Sequence, residues 1–165
     1  MATEIERKFL VRPDWSPADV DGVTAVRLQQ GYLLASPTLS VRVRSSDDAA
    51  WITIKGSSTV SEHGLERLEF EYAIPLEDAD VMLSTLCAQP VIDKTRYSFT
   101  QHGTLWTVDV FAGENAGLVL AEVELDYAGQ PITLPEWVRE DVSSDGRYSN
   151  AYLSKVPFSS WLSES

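Results

Sequence analysis

The sequence contains few of the residues that most thiol and metal sites require. Among 165 residues there is one cysteine, Cys87, and there are two histidines, His63 and His102. An intramolecular disulfide is therefore excluded, and a thiolate zinc site or an imidazole-rich metal centre is not expected. Neither histidine has an adjacent nucleophile that would indicate Ser-His or Cys-His catalysis. A metal bound to this chain would be held by oxygen atoms, which favours Mg²⁺, Mn²⁺ or Ca²⁺.

Long apolar runs and positive charge are also scarce. No stretch approaches the roughly 20 apolar residues that a membrane helix needs, and the first eight residues lack the apolar segment of a signal peptide. Thirteen Lys and Arg against 25 Asp and Glu give a net charge of −12. Such a surface repels nucleic acid and anionic membranes. We therefore expect a cytoplasmic protein without nucleic-acid or membrane partners.

The rest of the composition is that of a globular domain. The chain is 44 % hydrophobic and 23 % charged, which lies within the range of folded proteins. Its length is sufficient for a substantial core. No repeat, low-complexity stretch or linker divides it. We expect a single domain over residues 1–165.

Segments rich in β-branched and aromatic residues predict eight strands. Their ranges are Thr3–Val11, Thr24–Leu34, Thr38–Arg44, Ala50–Lys55, Leu65–Ile74, Val91–Thr100, Leu105–Phe111 and Leu118–Asp126. The short turn at Gln101–Gly103 favours antiparallel pairing, because only antiparallel neighbours can be joined by so few residues.

Two helices are predicted outside these strands. The first begins at Pro75, and the apolar side chains on one of its faces are those of Leu76, Ala79, Leu83, Leu86 and Cys87. The second is short and covers Tyr148–Val156. Three tryptophans outside the strands are expected to cover the outer surface of the sheet, namely Trp15, Trp137 and Trp161.

Charged residues recur two positions apart on most of the predicted strands, which places them on one face of each strand. They are Glu4, Glu6, Lys8, Arg42, Arg44, Arg67, Glu69, Glu71, Lys94, Arg96, Glu122 and Glu124, and Lys55 is a further charged residue that stands alone on its strand. The apolar residues between them, such as Ile5, Val43 and Phe70, need burial on the opposite face. Two arrangements satisfy this pattern. One is a two-layer sandwich with a solvated charged face, and the other is a closed sheet with a charged interior.

The distribution of basic residues favours the charged interior. These positions hold seven of the 13 basic residues, and the remainder of the chain has six basic residues against 19 acidic ones. Arg and Lys hold phosphate oxygens more strongly in a low-dielectric cavity than on a surface. Carboxylates beside a phosphate repel it unless a hard cation lies between them. A site charge of +1 with two Mg²⁺ ions approximately balances the roughly five negative charges of a triphosphate.

Eight short motifs follow one another along nearly the whole chain. They are Glu4-Ile5-Glu6-Arg7-Lys8, Gln30-Gly31-Tyr32-Leu33, Val41-Arg42-Val43-Arg44, Thr53-Ile54-Lys55-Gly56, Glu69-Phe70-Glu71-Tyr72, Lys94-Thr95-Arg96-Tyr97, Trp106-Thr107-Val108-Asp109 and Ala121-Glu122-Val123-Glu124-Leu125. The first resembles the Glu-x-Glu-x-Lys signature of the CYTH superfamily, the triphosphate tunnel metalloenzymes, and the others resemble its later strands. The resemblance implies an α+β, mainly β fold, in which a closed antiparallel barrel of eight strands with a few flanking helices binds a triphosphate and divalent cations. The short chain is similar to the compact bacterial members that hydrolyse inorganic triphosphate.

The resemblance also implies roles for individual residues. Phosphate contacts fall to Lys8, Arg42, Arg44, Lys55, Lys94 and Arg96. Coordination of two Mg²⁺ or Mn²⁺ ions falls to Glu4, Glu6, Glu122 and Glu124, with Glu69, Glu71 and Asp109 in support. Tyr32 is implied to lie near the reacting phosphate. For the basic residue that other members supply from a C-terminal helix, the candidates are Arg147 and Lys155.

The expected reaction is in-line attack of water on a terminal phosphoanhydride. Glu4 is the first candidate for accepting the proton of that water, and Tyr32 and Lys8 are its rivals. Two of the carboxylates, Glu69 and Glu71, are nearly as well suited to pairing with Arg67, Lys94 or Arg96 as to binding metal, and Asp109 has the same ambiguity.

Three functions remain open at this point. The first is hydrolysis of inorganic triphosphate. The second is thiamine-triphosphate hydrolysis or ATP cyclisation in the same tunnel, and the third is non-catalytic binding of polyphosphate or a nucleotide. The resemblance is compatible with a homodimer.

Overall fold

The computed structural model describes residues 5–61 and 64–164, and its dominant feature is one antiparallel sheet. The strands are β1 (Ile5–Val11), β2 (Thr24–Ala35), β3 (Leu39–Ser45), β4 (Ala50–Ser61), β5 (Gly64–Ile74), β6 (Ile92–Gln101), β7 (Thr104–Phe111), β8 (Val119–Leu125) and β9 (Val138–Asp141). They are arranged in the order β5-β4-β3-β2-β6-β7-β8-β1-β9. The predicted mainly β, antiparallel class is confirmed, and each of the eight predicted strands has a counterpart.

The sheet differs from the prediction in strand number and in closure. A ninth strand, β9, pairs with β1 through Phe9–Asp141 and Val11–Val138. Its four residues, Val-Arg-Glu-Asp, are too few and too charged to predict a strand from sequence. Within the described ranges β5 and β9 are the two edges of the sheet, so hydrogen bonds do not close it into a barrel. The expected eight-stranded closure is not formed in these ranges, where β1 pairs with β9 at Phe9 and Val11 instead of with β5.

The main apolar cluster lies on the outer face of β1, β6, β7 and β8. Its strand residues include Phe9, Phe99 and Trp106, and Trp15 and Trp137 pack over them. The Trp137 ring lies 5.2 Å from Trp106 and 6.1 Å from Trp15, measured between centroids. Both tryptophans therefore cover the outside of the sheet, as predicted.

A helical segment covers the outer face of β3 and β4. It consists of α1 (Leu76–Val81) and a π-helical turn over Met82–Leu86. Ala79, Leu83 and Cys87 pack against Val43 and Ala50. Leu86 was expected on the same apolar face, but it is 63 % exposed. The wider turn of the π-helix changes the angular position of its last residues, so the 3.6-residue pattern fails at this point.

The second helix, α2 (Asn150–Lys155), lies within the predicted range. Its residue Leu153 packs on Ile92, Phe111 and Leu120, which places α2 against one end of the inner face. Trp161 belongs to the periphery of the same cluster, so the expectation that it covers the outer surface of the sheet was wrong. Single 3₁₀ turns occur at Pro17–Asp19, Gly113–Asn115 and Gly146–Tyr148, and a longer one at Phe158–Glu164. None of the helices in the described ranges has the length and apolarity needed to cross a membrane.

Candidate active site

A cavity of about 690 Å³ is enclosed by residues of β1–β6 and β8. The predicted site residues that line it are Glu6, Lys8, Tyr32, Arg42, Arg44, Lys55, Glu69, Glu71, Arg96 and Glu122. They come from β1 to β6 and from β8, so strands distant in the sheet order face the same space. The charged face is therefore the inner one, and two of the apolar clusters, those around Phe9 and Val43, cover the outside.

The pairing register explains why these side chains meet. Directly opposed residues of antiparallel strands share a face. Lys8 is opposite Glu122 across β1 and β8, and Lys55 is opposite Glu69 across β4 and β5. Tyr32 is opposite Arg42. Each strand thus contributes its inward positions to a wall in which basic and acidic groups are neighbours.

The arginines of β3 give the wall a surplus of positive charge. Arg44 donates a hydrogen bond from Nε to Oε1 of Gln30, a neutral acceptor, at 2.9 Å. Burial and the nearby charges of Arg42 and Arg96 lower the pKa of Arg44 to about 10, so it remains charged at neutral pH. The buried Nε of Arg42 has no hydrogen-bond partner among the described residues. Guanidinium groups that lack a carboxylate partner are suited to binding phosphate oxygens.

A buried cluster of three charges lies beside this wall. Lys94 is 1 % exposed and its Nζ donates to Oδ2 of Asp109 at 2.8 Å and to Oδ1 of Asn150 at 3.3 Å. Asp109 also accepts hydrogen bonds from Nε and Nη2 of Arg96, at 2.8 and 3.0 Å. Of the three side chains, only Arg96 lines the cavity. Asp109 therefore makes the charge pairs that the sequence left open as the alternative to metal binding.

Burial and charge pairing act in opposite directions within this cluster. Burial lowers the pKa of Lys94 to about 8, although the charge of Asp109 opposes that shift. Burial would raise the pKa of Asp109, but the charge of Lys94 and the hydrogen bonds from Arg96 outweigh it and hold that pKa well below its usual range. Burial also acts to lower the pKa of Arg96, but the hydrogen bond to Asp109 and the charge of that carboxylate together outweigh burial and raise that pKa above its usual value.

Acidic side chains concentrate at the end of the cavity formed by β1 and β8. A second cavity of about 460 Å³ shares Glu6, Arg96 and Glu122 with the first, and Glu124 and Asp126 also line it. Glu6 and Glu124 are directly opposed across the two strands. Glu124 thus lies at this second opening, away from the larger space. Asp126 was not predicted, although it continues the two-residue spacing of the preceding glutamates.

The carboxylates suit a hard cation, but they are distributed. Among residues 5–61 and 64–164 no three His, Cys, Asp or Glu side chains form a group that would hold a metal ion. Opposed glutamates such as Glu6 and Glu124 repel each other unless a cation lies between them. Because the donors are all oxygens, they suit a hard divalent cation. Glu4, a predicted ligand, lies outside the described residues, and so does the side chain of Arg67.

The C-terminal segment completes the wall. Ser149, Asn150 and Lys155 line the cavity, and Nζ of Lys8 donates to the carbonyl oxygen of Tyr148 at 3.1 Å. Of the two candidates for a C-terminal basic residue, Lys155 is at the cavity, whereas Arg147 forms an ion pair with Asp145 at 2.7 Å. Apart from Tyr32, the uncharged lining residues were not predicted, because a pattern of alternating charge gives no signal at neutral positions.

On the opposite side of the cavity, β5 supplies two more carboxylates. Glu71 accepts a hydrogen bond from Oγ1 of Thr53 at 3.0 Å, and Glu69 is opposite Lys55. No ion pair links either glutamate to Lys94 or Arg96 in the described part of the chain. Pairing of Glu69 and Glu71 with these two cations therefore has no support in the structure.

Comparison with known proteins assigns this arrangement to a family. A family profile described as the CYTH domain matches residues 2–157. The chain belongs to the CYTH family. This CYTH protein is similar to an inorganic triphosphatase of Acetivibrio thermocellus, with 43 % identity over 96 % of this chain and 97 % of the relative. It is also similar to an inorganic triphosphatase of Nitrosomonas europaea, with 39 % identity over 92 % and 96 %. A crystal structure described as an inorganic triphosphatase matches it with a TM-score of 0.71 and 35 % identity, over 93 % of this chain and 95 % of the other.

Proposed function

We propose that this CYTH protein hydrolyses inorganic triphosphate to pyrophosphate and phosphate. The observation that carries the proposal is the surplus of guanidinium charge in a cavity of about 690 Å³ whose wall also bears carboxylates. Arginines without carboxylate partners attract a compact polyanion, and the carboxylates are suited to the cations that accompany it. The names of the two curated relatives support the same reaction.

The basic residues of the wall divide into two groups in this proposal. Lys8, Arg42, Arg44, Lys55 and Arg96 bind the phosphate oxygens directly, because they line the cavity. Lys94 supports them from behind, through Asp109. Preorganised donors of this kind stabilise the charge that develops on the leaving pyrophosphate.

Divalent cations are the proposed cofactors. Glu6, Glu122 and Glu124 would hold one ion together with Glu4, and Glu69 and Glu71 would contribute from the other side of the cavity. When bound, Mg²⁺ or Mn²⁺ supplies charge neutralisation between the carboxylates and the phosphates. The oxygen-only donor set and the opposition of Glu6 to Glu124 support this assignment, in which two ions are expected.

Among the candidates for the proton acceptor, the contacts of Lys8 favour a different role for that residue. Its Nζ donates to the carbonyl oxygen of Tyr148 at 3.1 Å and lies 3.5 Å from Oε1 of Glu122, so it acts as a hydrogen-bond donor at the cavity wall. Lys8 is therefore proposed as a phosphate ligand. Glu4 remains the first candidate for the base, and Tyr32, which lines the cavity, is the alternative.

The lining favours an inorganic substrate over an organic one. Of the described residues that line the cavity, Tyr32 alone is aromatic. Trp106 and Trp137 are buried in the outer apolar cluster and face away from the site. A thiamine or adenine group requires an apolar or stacking wall, and the described part of this cavity has none beyond one tyrosine ring.

The test is phosphate release from tripolyphosphate, thiamine triphosphate and ATP, each with Mg²⁺, with Mn²⁺ and with EDTA. We expect tripolyphosphate to be hydrolysed much faster than the other two, and EDTA to abolish activity. Arg44→Met is expected to lower kcat/KM at least tenfold, since it removes a charge-assisted phosphate contact. Arg27→Met is the matched control, because Arg27 pairs with Asp93 outside the cavity. Binding of tripolyphosphate without phosphate release would contradict the proposal.

We also propose that two copies associate through the outer face of β2–β5. Leu34, Leu68, Phe70 and Tyr72 lie there and are 46–61 % exposed. Together they form an apolar patch on the order of 400 Å², the size at which such patches mark interaction surfaces. Burying the patch on both copies, with its polar rim, removes roughly 1,200 Å² from water, which is the lower limit for a stable pair.

The cytoplasmic location stays a prediction.

A further inference from the structure

A buried glutamine holds one of the arginines of the cavity wall. Gln30 on β2 is fully buried and directly opposite Arg44 on β3. Its Oε1 accepts the hydrogen bond from Nε of Arg44 at 2.9 Å. We propose that Gln30 is a positioning residue that fixes Arg44 for triphosphate binding without neutralising its charge. The proposal rests on the function proposed above.

The neutrality of this partner is unusual. Arg44 is half-buried, and a guanidinium withdrawn from water is normally paired with a carboxylate, because an uncompensated charge is costly to desolvate. The nearest buried carboxylate, Asp109, is already bonded to Lys94 and Arg96. Gln30 satisfies the hydrogen-bonding capacity of Nε and leaves the positive charge of Arg44 available. The electrostatic cost is offset when a polyanion binds.

The geometry explains how the glutamine acts at a distance from the substrate. Arg44 lines the cavity and Gln30 does not. A bond to Nε restrains the plane of the guanidinium and leaves Nη1 and Nη2 for the cavity, where they match two oxygens of one phosphate. Gln30 thus contributes to binding through the orientation of Arg44.

The nitrogen of the Gln30 amide can be replaced without the loss of a hydrogen bond to the described residues. Nε2 of Gln30 is buried and has no hydrogen-bond partner among the described residues. Gln30→Glu replaces that nitrogen with an oxygen of similar size and removes no hydrogen bond that the described residues make. It adds one negative charge next to Arg44 and near Arg42 and Arg96.

The variant is expected to change stability and binding in opposite directions. Without substrate, Gln30→Glu should raise Tm, because the new carboxylate relieves repulsion among the three arginines. The KM for tripolyphosphate should rise about tenfold to a hundredfold, because the same carboxylate repels the substrate and competes for Arg44. Gln29→Glu is the matched control, since the neighbouring residue lies on the opposite face of β2 and should leave KM unchanged.

Two further variants separate positioning from a general effect on folding. Gln30→Met removes the acceptor without adding charge, so we expect a lower Tm together with a raised KM. In an Arg44→Met background, Gln30→Met should raise KM little further, because the residue it positions is gone. An unchanged KM in Gln30→Glu, a lower Tm in that variant, or a full additional effect of Gln30→Met in the Arg44→Met background would overturn the inference.

Failure of the hydrolase proposal can be distinguished from failure of the positioning proposal. If the wild-type protein binds tripolyphosphate without hydrolysing it, the hydrolase proposal fails and calorimetric affinities replace KM in the same comparison. Weaker tripolyphosphate binding by Gln30→Glu, with unaltered binding by Gln29→Glu, would still support the positioning role. Equal affinities for these two variants would refute it.

Discussion

Asp109 is the carboxylate on which the buried cations beside the cavity depend. It accepts hydrogen bonds from both Lys94 and Arg96, and it is nearly inaccessible to solvent. Without its charge, two cations would remain close together in a region of low dielectric constant. Asp109 therefore affects both the stability of the fold and the orientation of Arg96 at the site.

Asp109→Asn is expected to lower the free energy of unfolding by about 3–5 kcal/mol at pH 7, the usual cost of leaving a buried charge unpaired. Denaturant titration measures the change. Asp141→Asn is the control, because Asp141 pairs with Arg7 at a site that is largely open to solvent and should cost much less. Equal losses in the two variants would contradict a special role for the buried cluster.

The pH dependence of this loss follows from the direction of the pKa shift. Folding lowers the pKa of Asp109, so its contribution to stability is fully present above about pH 4, near the unfolded pKa. The contribution is lost as the pH falls through the lower folded value. The difference between wild type and Asp109→Asn should therefore narrow below about pH 4.

Individual side chains of the site could be predicted where alternation along a strand determines their direction. Arg42, Glu71 and Glu122 all follow the two-residue period, and all line the cavity. Lys94 follows it too, but its depth depends on packing against α2, which the strand pattern does not contain. Gln30 could not be predicted as a site residue, because a neutral side chain leaves no mark in the alternation of charges along a strand.

At Gly31, β2 and the segment after α1 approach each other closely. A Cβ atom at Gly31 would lie 2.8 Å from Cβ of Cys87 and 3.1 Å from Cγ1 of Val91. These atoms belong to short side chains that cannot rotate away. The glycine therefore lets the π-helical turn and its following segment pack directly on β2, between the inward residues Gln30 and Tyr32.

Gly31→Ala is expected to destabilise the protein by about 1–3 kcal/mol, because the added methyl group forces the two elements apart. Thermal or urea unfolding measures the effect. Gly56→Ala provides the comparison on another strand, where the new Cβ would lie 3.5 Å from Cβ of Leu68, an ordinary contact. If both variants retain full stability, the packing at Gly31 is less tight than described.

Elements with strong periodicity were predicted well, and irregular ones were not. The strand pattern located β1 to β8, and the apolar stripe located α1. The π-helical turn at Met82–Leu86 breaks the 3.6-residue period, so Leu86 was misplaced. Strand β9 forms because β1 offers an unpaired edge, a tertiary cause that leaves no mark on four residues of local sequence.

The molar mass of the protein in solution tests the proposed association of two copies. Light scattering after size-exclusion chromatography should give a dimer for the wild-type protein. Replacing Leu68 and Phe70 with Glu should give a monomer, since like charges would face each other across the twofold axis of the pair. Leu105→Glu is the control, because Leu105 is equally exposed but lies on β7. A wild-type monomer at micromolar concentration would contradict the proposal.

The charged interior was predicted from the sorting of basic residues, and the architecture around it from the family resemblance. Closure into an eight-stranded barrel was also expected from that resemblance, but within the described residues hydrogen bonds do not close the sheet, because β1 pairs with β9 rather than with β5. Placement of the apolar clusters on the outer face followed once the charges were assigned inward. The position of the opening between the edge strands β5 and β9 could not be predicted from the sequence and is seen in the structure.

The reversal of inside and outside has an evolutionary consequence. Along β3 and β4 the outward positions serve packing and the inward ones line the cavity, so the two requirements rarely fall on the same residue there. Inward substitutions can accumulate while the outer packing stays intact. A scaffold of this kind can acquire new phosphorylated substrates through substitutions in its lining alone. Its evolutionary intermediates stay folded.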